Sequence, residues 1–211
     1  AEWVQQIKAW GIQIWSSATT VQEAQWLAQN GADAVIAQGL EAGGHRGMFL
    51  TEDLSTQVST LALLPQIVKA LKLPVIAAGG ISSAAAVSAA KTLGASAVQV
   101  GTAFLTSHEA NTSALHRQAL MSDAAKHTAL TNLFSGRPAR GIVNKFMQDF
   151  GPLNPEAPAF PLATAAVAPL RAAAEAKGSA DYSPLWSGQN ASDCQALPAA
   201  EIAHKLLQGW A

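Results

Sequence analysis

Pro74-Val75-Ile76-Ala77-Ala78-Gly79-Gly80-Ile81-Ser82 decides the fold. Pro74 to Ala78 is an uncharged run of strand length, as expected for a strand buried on both faces. Gly79-Gly80 is a turn, and Ser82 is the expected cap of an Ala-rich helix running to Gly94. Ala95-Ser96-Ala97-Val98-Gln99-Val100 is the next strand. Two strands separated by a helix pair in parallel, with the helix as crossover. The same order is found upstream. Gly11-Ile12-Gln13-Ile14-Trp15 reads as a strand, and Thr20 and Glu23 form a Thr-x-x-Glu capping box. The helix that follows ends at Gly31, and Ala32 to Ala37 is a strand. Gly31-Ala32-Asp33-Ala34-Val35 and Gly94-Ala95-Ser96-Ala97-Val98 hold matching places in their units. The middle unit is longer: a polar loop between Gly43 and Leu61 precedes a helix over Leu61 to Leu71. A (β/α) barrel and a doubly wound sheet both fit this pattern.

After Leu105 the character changes. Ser113 to Met121 reads as a helix and Ser135 to Gly141 as a basic, turn-rich loop. Gly151 to Pro161 holds four prolines and reads as a loop. Two Ala-rich helices are expected over Leu162 to Lys177 and Ala199 to Gln208. The division drawn is 1–110 as barrel and 111–211 as its last helix with a helical extension packed on it, not a second domain.

The chain has 211 residues, 49% hydrophobic and 13% charged, with a net charge of -1. Such a chain buries enough apolar surface to fold, which excludes a disordered charged tail. No basic excess is present to neutralise phosphates, so nucleic acid is not an expected partner. The single cysteine, Cys194, forms no internal disulfide and no thiolate metal site, which makes the cytoplasm the default compartment. No membrane span is expected, because Ala163 to Ala174 is broken by Pro169 and Arg171. Ala1-Glu2-Trp3-Val4 is not a signal peptide. It has no initiator Met, which points to a processed product or a fragment.

Three glycine-bearing loops follow consecutive strands: Gln38 to Gly47, Gly79 to Ser82, and Gln99 to Thr102. Barrel and open-sheet proteins keep their sites at such carboxyl ends. Where a glycine turn opens a helix, backbone N–H groups and the helix dipole suit a phosphate. His45, between Gly44 and Gly47, is the only imidazole in these loops and suits a general base. Glu41 either orients His45 or caps the turn. No second His or carboxylate stands at ligand spacing, so no metal is expected. Arg137 and Arg140 either hold an anion or serve the solvated loop and rim. Most of the six Trp residues read as core or rim packing rather than a stacking platform, and Cys194 reads as inert.

These motifs resemble a known family. Gln38-Gly39-x-Glu41-Ala42-Gly43-Gly44-His45-Arg46-Gly47, Pro74 to Ile81, and Val98 to Leu105 look like the FMN-dependent nitronate monooxygenases, formerly called 2-nitropropane dioxygenases. Ser135 to Ile142 and Leu185-Trp186-Ser187-Gly188-Gln189 are similar to the later motifs of that group. The first three motifs are shared with flavin-type enoyl-acyl-carrier-protein reductases. The resemblance implies a (β/α)8 TIM barrel holding FMN noncovalently. Gln38, Gly43 and Gly44 would lie along the flavin. Gly79, Gly80, Gln99, Gly101 and Thr102 would hold its phosphate end, with Ala78 also in the cofactor-binding set. His45 would be the active-site base. The implied reaction is oxidation of alkyl nitronates, with propionate 3-nitronate the expected physiological one. Reduced flavin then reacts with dioxygen, giving the carbonyl compound and nitrite or nitrate, and the implied role is nitroalkane detoxification. An NAD(P)H-dependent flavin reductase of enoyl or quinone type, and a non-catalytic half-barrel binding a phosphate ligand, are the alternatives.

Only four strand–helix units are read from the sequence, where a closed barrel needs eight. The family's chains are longer, and this one starts where their fifth strand would be. The expectation is therefore a second half-barrel, completed by another chain or by the unrecorded part of the same protein.

Overall fold

The computed structural model describes residues 2–211. In chain order its first elements are α1 (Glu2–Ala9), β1 (Trp15–Ala18), α2 (Val21–Gln29), β2 (Ala34–Gln38), β3 (Gly44–His45), α3 (Thr60–Ala70), β4 (Val75–Ala78) and α4 (Ala84–Thr92). There follow β5 (Ala97–Gln99), α5 (Ala114–Leu120), β6 (Thr128–Thr131), β7 (Ala139–Ile142), α6 (Lys145–Phe150), α7 (Leu162–Glu175) and α8 (Ala199–Leu207). The chain divides into two compact units. One comprises residues up to Glu41, Gly47–Val100 and Lys205–Ala211; the other comprises Ala42–Arg46 and Gly101–His204. The boundary drawn at residue 110 from the sequence falls inside the second unit.

The first unit is a parallel sheet in the order β1-β2-β4-β5 with helical crossovers. All four residues of β4 are buried, which is why its stretch is apolar without alternation. Against the sheet pack Leu63, Leu64 and Ile67 of α3, Ala24 and Leu27 of α2, and Ala90 of α4. At α3, Ser59 accepts the Ala62 N–H and Leu61 faces outward at 67% exposure. The sequence places β1 too early. Gly11 has φ +73 and Ile12 is exposed, so residues 11–14 lead into the strand. The strand itself, Trp15-Ser16-Ser17-Ala18, pairs with Ala34–Ala37, and its two serines hid it. Ser83, not Ser82, caps α4 by accepting the Ala86 N–H at 3.3 Å. The positive-φ pair Gly79-Gly80 (φ +120 and +70) extends the turn before the helix. The helix α1, which buries no residue, has no counterpart in the sequence reading.

The capping box at α2 is opened out. Thr20 Oγ1 accepts the Glu23 N–H, but the Glu23 carboxylate does not return to Thr20. Fully buried, it accepts from Thr19 N and Thr19 Oγ1, both at 2.7 Å, and from Phe49 N at 2.6 Å and Leu50 N at 3.2 Å. A buried carboxylate needs such donors, and here they come from two separate loops.

The second unit has the expected helices α5 and α7 and most of α8, and also α6, which the sequence reading lacked, but it is not only helical. It contains an antiparallel sheet, β3-β7-β6. The loop expected over Ser135 to Gly141 ends early, because Ala139-Arg140-Gly141-Ile142 is a fully buried strand. Its Arg and Gly disguise it, being poor strand formers. Two apolar clusters support this unit. One gathers Leu120, Ile142, Leu185 and Cys194; the other gathers Leu133, Phe134, Met147 and Val167.

Candidate active site

In the first unit, strand register places the expected ligand-facing residues. Gln38 is level with Ala78, and Ala78 with Gln99. Three carboxyl-terminal strand ends therefore form one row across the sheet edge, and residues level in parallel strands project to the same face. Gln38 Oε1 accepts the Gly47 N–H at 2.8 Å, fixing the return of its loop. Beyond Ala78 come Gly79 and Gly80, whose left-handed backbone exposes peptide groups at the approach to α4. Glu41 is committed to the start of α3: it accepts from Thr60 N at 2.8 Å and Thr60 Oγ1 at 2.9 Å. Thr60 Oγ1 also lies 3.0 Å from Gly79 O. Glu41 and Thr60 thus brace the Gly79-Gly80 turn from behind.

In the second unit, His45 lies on the two-residue strand β3, level with Ala139 of β7. This pairing brings the Ser135–Arg137 turn to the imidazole. His45 Nε2 is 2.7 Å from Ser135 Oγ. The Trp186 ring stands 5.5 Å and the Phe160 ring 6.2 Å from the imidazole, centroid to centroid. The Arg137 guanidinium lies 6.0 Å from the centroid of the same Phe160 ring. Burial, and then the positive charge of Arg137, hold the imidazole below its usual pKa. A neutral ring at neutral pH follows, with one nitrogen able to accept a proton.

Gly44 takes φ +74 with open space where a side chain would stand. At Gly43 a side chain would meet the backbone of Ser187 and Gly188. Gly101 also faces open space. Thr102 Oγ1 accepts the Gly188 N–H at 2.9 Å and keeps its own O–H to donate. Ser187 is wholly buried and its N–H reaches Arg140 O. The 185–189 segment is therefore the wall behind Gly43, His45 and Thr102.

Other candidates separate from this group. Arg140 is buried and donates to Thr128 Oγ1 at 3.1 Å, a bond within its own sheet. Cys194 is buried, its thiol pushed up to about 11 by burial and by Asp193, which makes it a poor nucleophile. His116 spends Nε2 on the backbone carbonyl Trp186 O at 3.0 Å. Among the described residues no group of three His, Cys, Asp or Glu is arranged to hold a metal. Among them, too, no helix is long and apolar enough to cross a membrane. Sequence reasoning passed over Phe160 and took Trp186 as packing. The only available signal was that each lies in or beside a motif rich in Gly or Pro.

A parallel sheet with helical crossovers and glycine turns after its strands defines a barrel-type α/β fold. The comparisons agree. A nitroalkane oxidase from Streptomyces ansochromogenes superposes with a TM-score of 0.90 at 38% identity, over 99% of this chain and 61% of that one. FabK from Thermotoga maritima gives 0.78 at 27% identity, over 99% and 64%. The sequence model of the nitronate monooxygenase family matches residues 1–209. The chain belongs to the nitronate monooxygenase family. Relatives of that name include one from Pseudomonas aeruginosa, 44% identical over 97% of this chain, and one from Paraburkholderia phytofirmans, 42% identical over 98%. The chain spans 59% and 57% of their respective lengths.

Proposed function

We propose that this chain carries the catalytic imidazole and much of the cofactor site of an FMN-dependent enzyme that oxidises alkyl nitronates with dioxygen. The observation that carries the reading is His45: neutral, held at one nitrogen by Ser135 and walled by Trp186 and Phe160. A neutral imidazole so placed accepts the acidic α-proton of a nitroalkane, and its N–H form donates to a nitronate oxygen.

The residues present fit a flavin mononucleotide. The first unit offers Gln38, Ala78 and Gln99 in one row, with the Gly79-Gly80 backbone as donors for a phosphate. When bound, the flavin supplies the electron transfer. The protein's part is to hold the anion and move the proton at His45. The outer strands β1 and β5 are parallel edges on which further strand–helix units would pair, since such edges are normally covered. Propionate 3-nitronate as physiological substrate, nitroalkane detoxification as role and the cytoplasm as location belong to the same proposal.

The test is the visible spectrum of the purified holoprotein under anaerobic conditions, titrated with propionate 3-nitronate and then with NADPH. Bleaching of a flavin band by the nitronate and none by NADPH is the expected result. Reduction by NADPH alone would replace this reading with a reductase, and a protein without a flavin band would remove the cofactor assignment.

A further inference from the structure

We propose that Glu41, acting through Thr60, is the positioning residue of the Gly79-Gly80 turn and makes the protein prefer a flavin that carries a phosphate over one that does not. This rests on the reading of that turn as the phosphate site of FMN.

The turn needs a support because it is made of two glycines. Gly79 and Gly80 take φ +120 and +70, and glycine gives up more backbone freedom on being ordered than any other residue. A ligand that had to order the turn itself would bind more weakly by that cost. The support comes from α3. Thr60 is the first residue of that helix and is buried. Its hydroxyl lies 3.0 Å from Gly79 O, 3.4 Å from Ala78 O and 2.9 Å from Glu41 Oε2. A peptide plane is rigid, so holding the Gly79 carbonyl also sets the direction of the Gly80 N–H on the other edge of that plane.

Glu41 in turn holds Thr60. Its carboxylate also accepts the Thr60 N–H at 2.8 Å, so it grips the residue by backbone and side chain together. These bonds are charge-assisted. They sit at the N-terminus of an 11-residue helix, where the helix dipole favours an anion and offsets a charge that would otherwise repel a phosphate. The packing is close on both sides. At Gly39 a side chain would collide with Thr60 N, Thr60 Oγ1 and Glu41 Oε2. At Gly80 a methyl would touch Glu41 Cβ at 3.4 Å and Cγ at 3.6 Å. Gly39 also donates its N–H to Ala78 O at 2.9 Å, which ties the segment carrying Glu41 to the strand end just before the turn. Glu41, Thr60 and Gly79 thus form one chain of contacts that ends on the backbone proposed to meet the phosphate.

The test is titration of the flavin-stripped protein with FMN and with riboflavin, beside the amide resonances of Gly79 and Gly80 in nitrogen-15 NMR of the same protein without ligand. The wild type is expected to bind FMN more tightly than riboflavin. In Thr60→Val and in Glu41→Ala the FMN Kd rises about tenfold, the riboflavin Kd stays near its wild-type value and both resonances move. Thr60→Ser keeps the hydroxyl and restores both readouts. The double variant is no worse than Thr60→Val alone, because Glu41 acts through Thr60; additive losses overturn that route. A general loosening of the fold would weaken both flavins alike, so the ratio of the two Kd values decides. A folded Thr60→Val or Glu41→Ala with an unchanged ratio, or with both resonances unmoved, overturns the positioning role. Should Glu41→Ala not fold, Glu41→Gln, which keeps the shape and loses the charge, is read in its place. If the wild type binds both flavins equally or neither, the phosphate reading fails and the preference with it. Resonances that move in Glu41→Ala and Thr60→Val and return in Thr60→Ser then leave the positioning of the turn standing.

Discussion

Along the edge of the parallel sheet, the residues offered to a ligand are set by strand register and backbone conformation: Gln38, Ala78 and Gln99 in a row, then the Gly79-Gly80 turn. Around His45 the opposite holds. The strand there has two residues, and side chains define the site: Ser135 on one nitrogen, Trp186 and Phe160 as walls, and Arg137 beyond. A backbone site tolerates exchange of most side chains and is lost only with its strands. A side-chain site is lost by a single substitution that leaves the fold intact. On the proposed reading, recognition and reactivity would lie on parts of the chain that fail in different ways.

The largest effect expected from this contrast is at His45. His45→Asn removes the proton acceptor and leaves the sheet row untouched. Turnover should fall about 10²–10⁴-fold while the flavin absorbance stays; concurrent loss of the flavin would show that the two regions are not separable. Glu23→Gln strikes the sheet side instead. The amide keeps one acceptor but turns N–H donors toward the N–H groups of Thr19, Phe49 or Leu50. Unfolding by denaturant should show a loss of about 2 kcal/mol, with kcat per folded, flavin-loaded protein unchanged. The smallest effect is at Arg137. It is exposed, and its charge lowers the basicity of His45. Arg137→Gln therefore raises the His45 pKa, so the neutral base appears only at higher pH. The acidic limb should move up slightly, and the shift should vanish in high salt.

The same contrast explains what could be read in the sequence. The stretch from Val75 to Thr92 was legible because burial on both faces demands an unbroken apolar run and the turn demands glycine. β1 was misplaced because Ser16 and Ser17 carry no apolar signal, although the strand's last residue, Ala18, is buried in the sheet. β7 escaped because Arg140 and Gly141 are not strand formers; pairing with β3 and β6 overrides their preference. His45 could be singled out by its glycine neighbours, but Ser135 meets it across 90 residues and Trp186 across more. No local rule links those positions. Only the antiparallel pairing does, and a two-residue strand leaves too short a pattern to read.

Gly101 carries a consequence of a different kind. Its backbone, φ -111 and ψ -66, is not in the left-handed region that calls for glycine, and nothing stands within 4 Å of where the methyl would go. Folding alone therefore has no quarrel with a larger residue there. On the proposed reading the constraint on this glycine would come from the cofactor. Gly101→Ala should be silent in thermal unfolding of the cofactor-free protein and should register only as weaker FMN affinity. That would make the residue a gauge of ligand fit rather than a part of the scaffold.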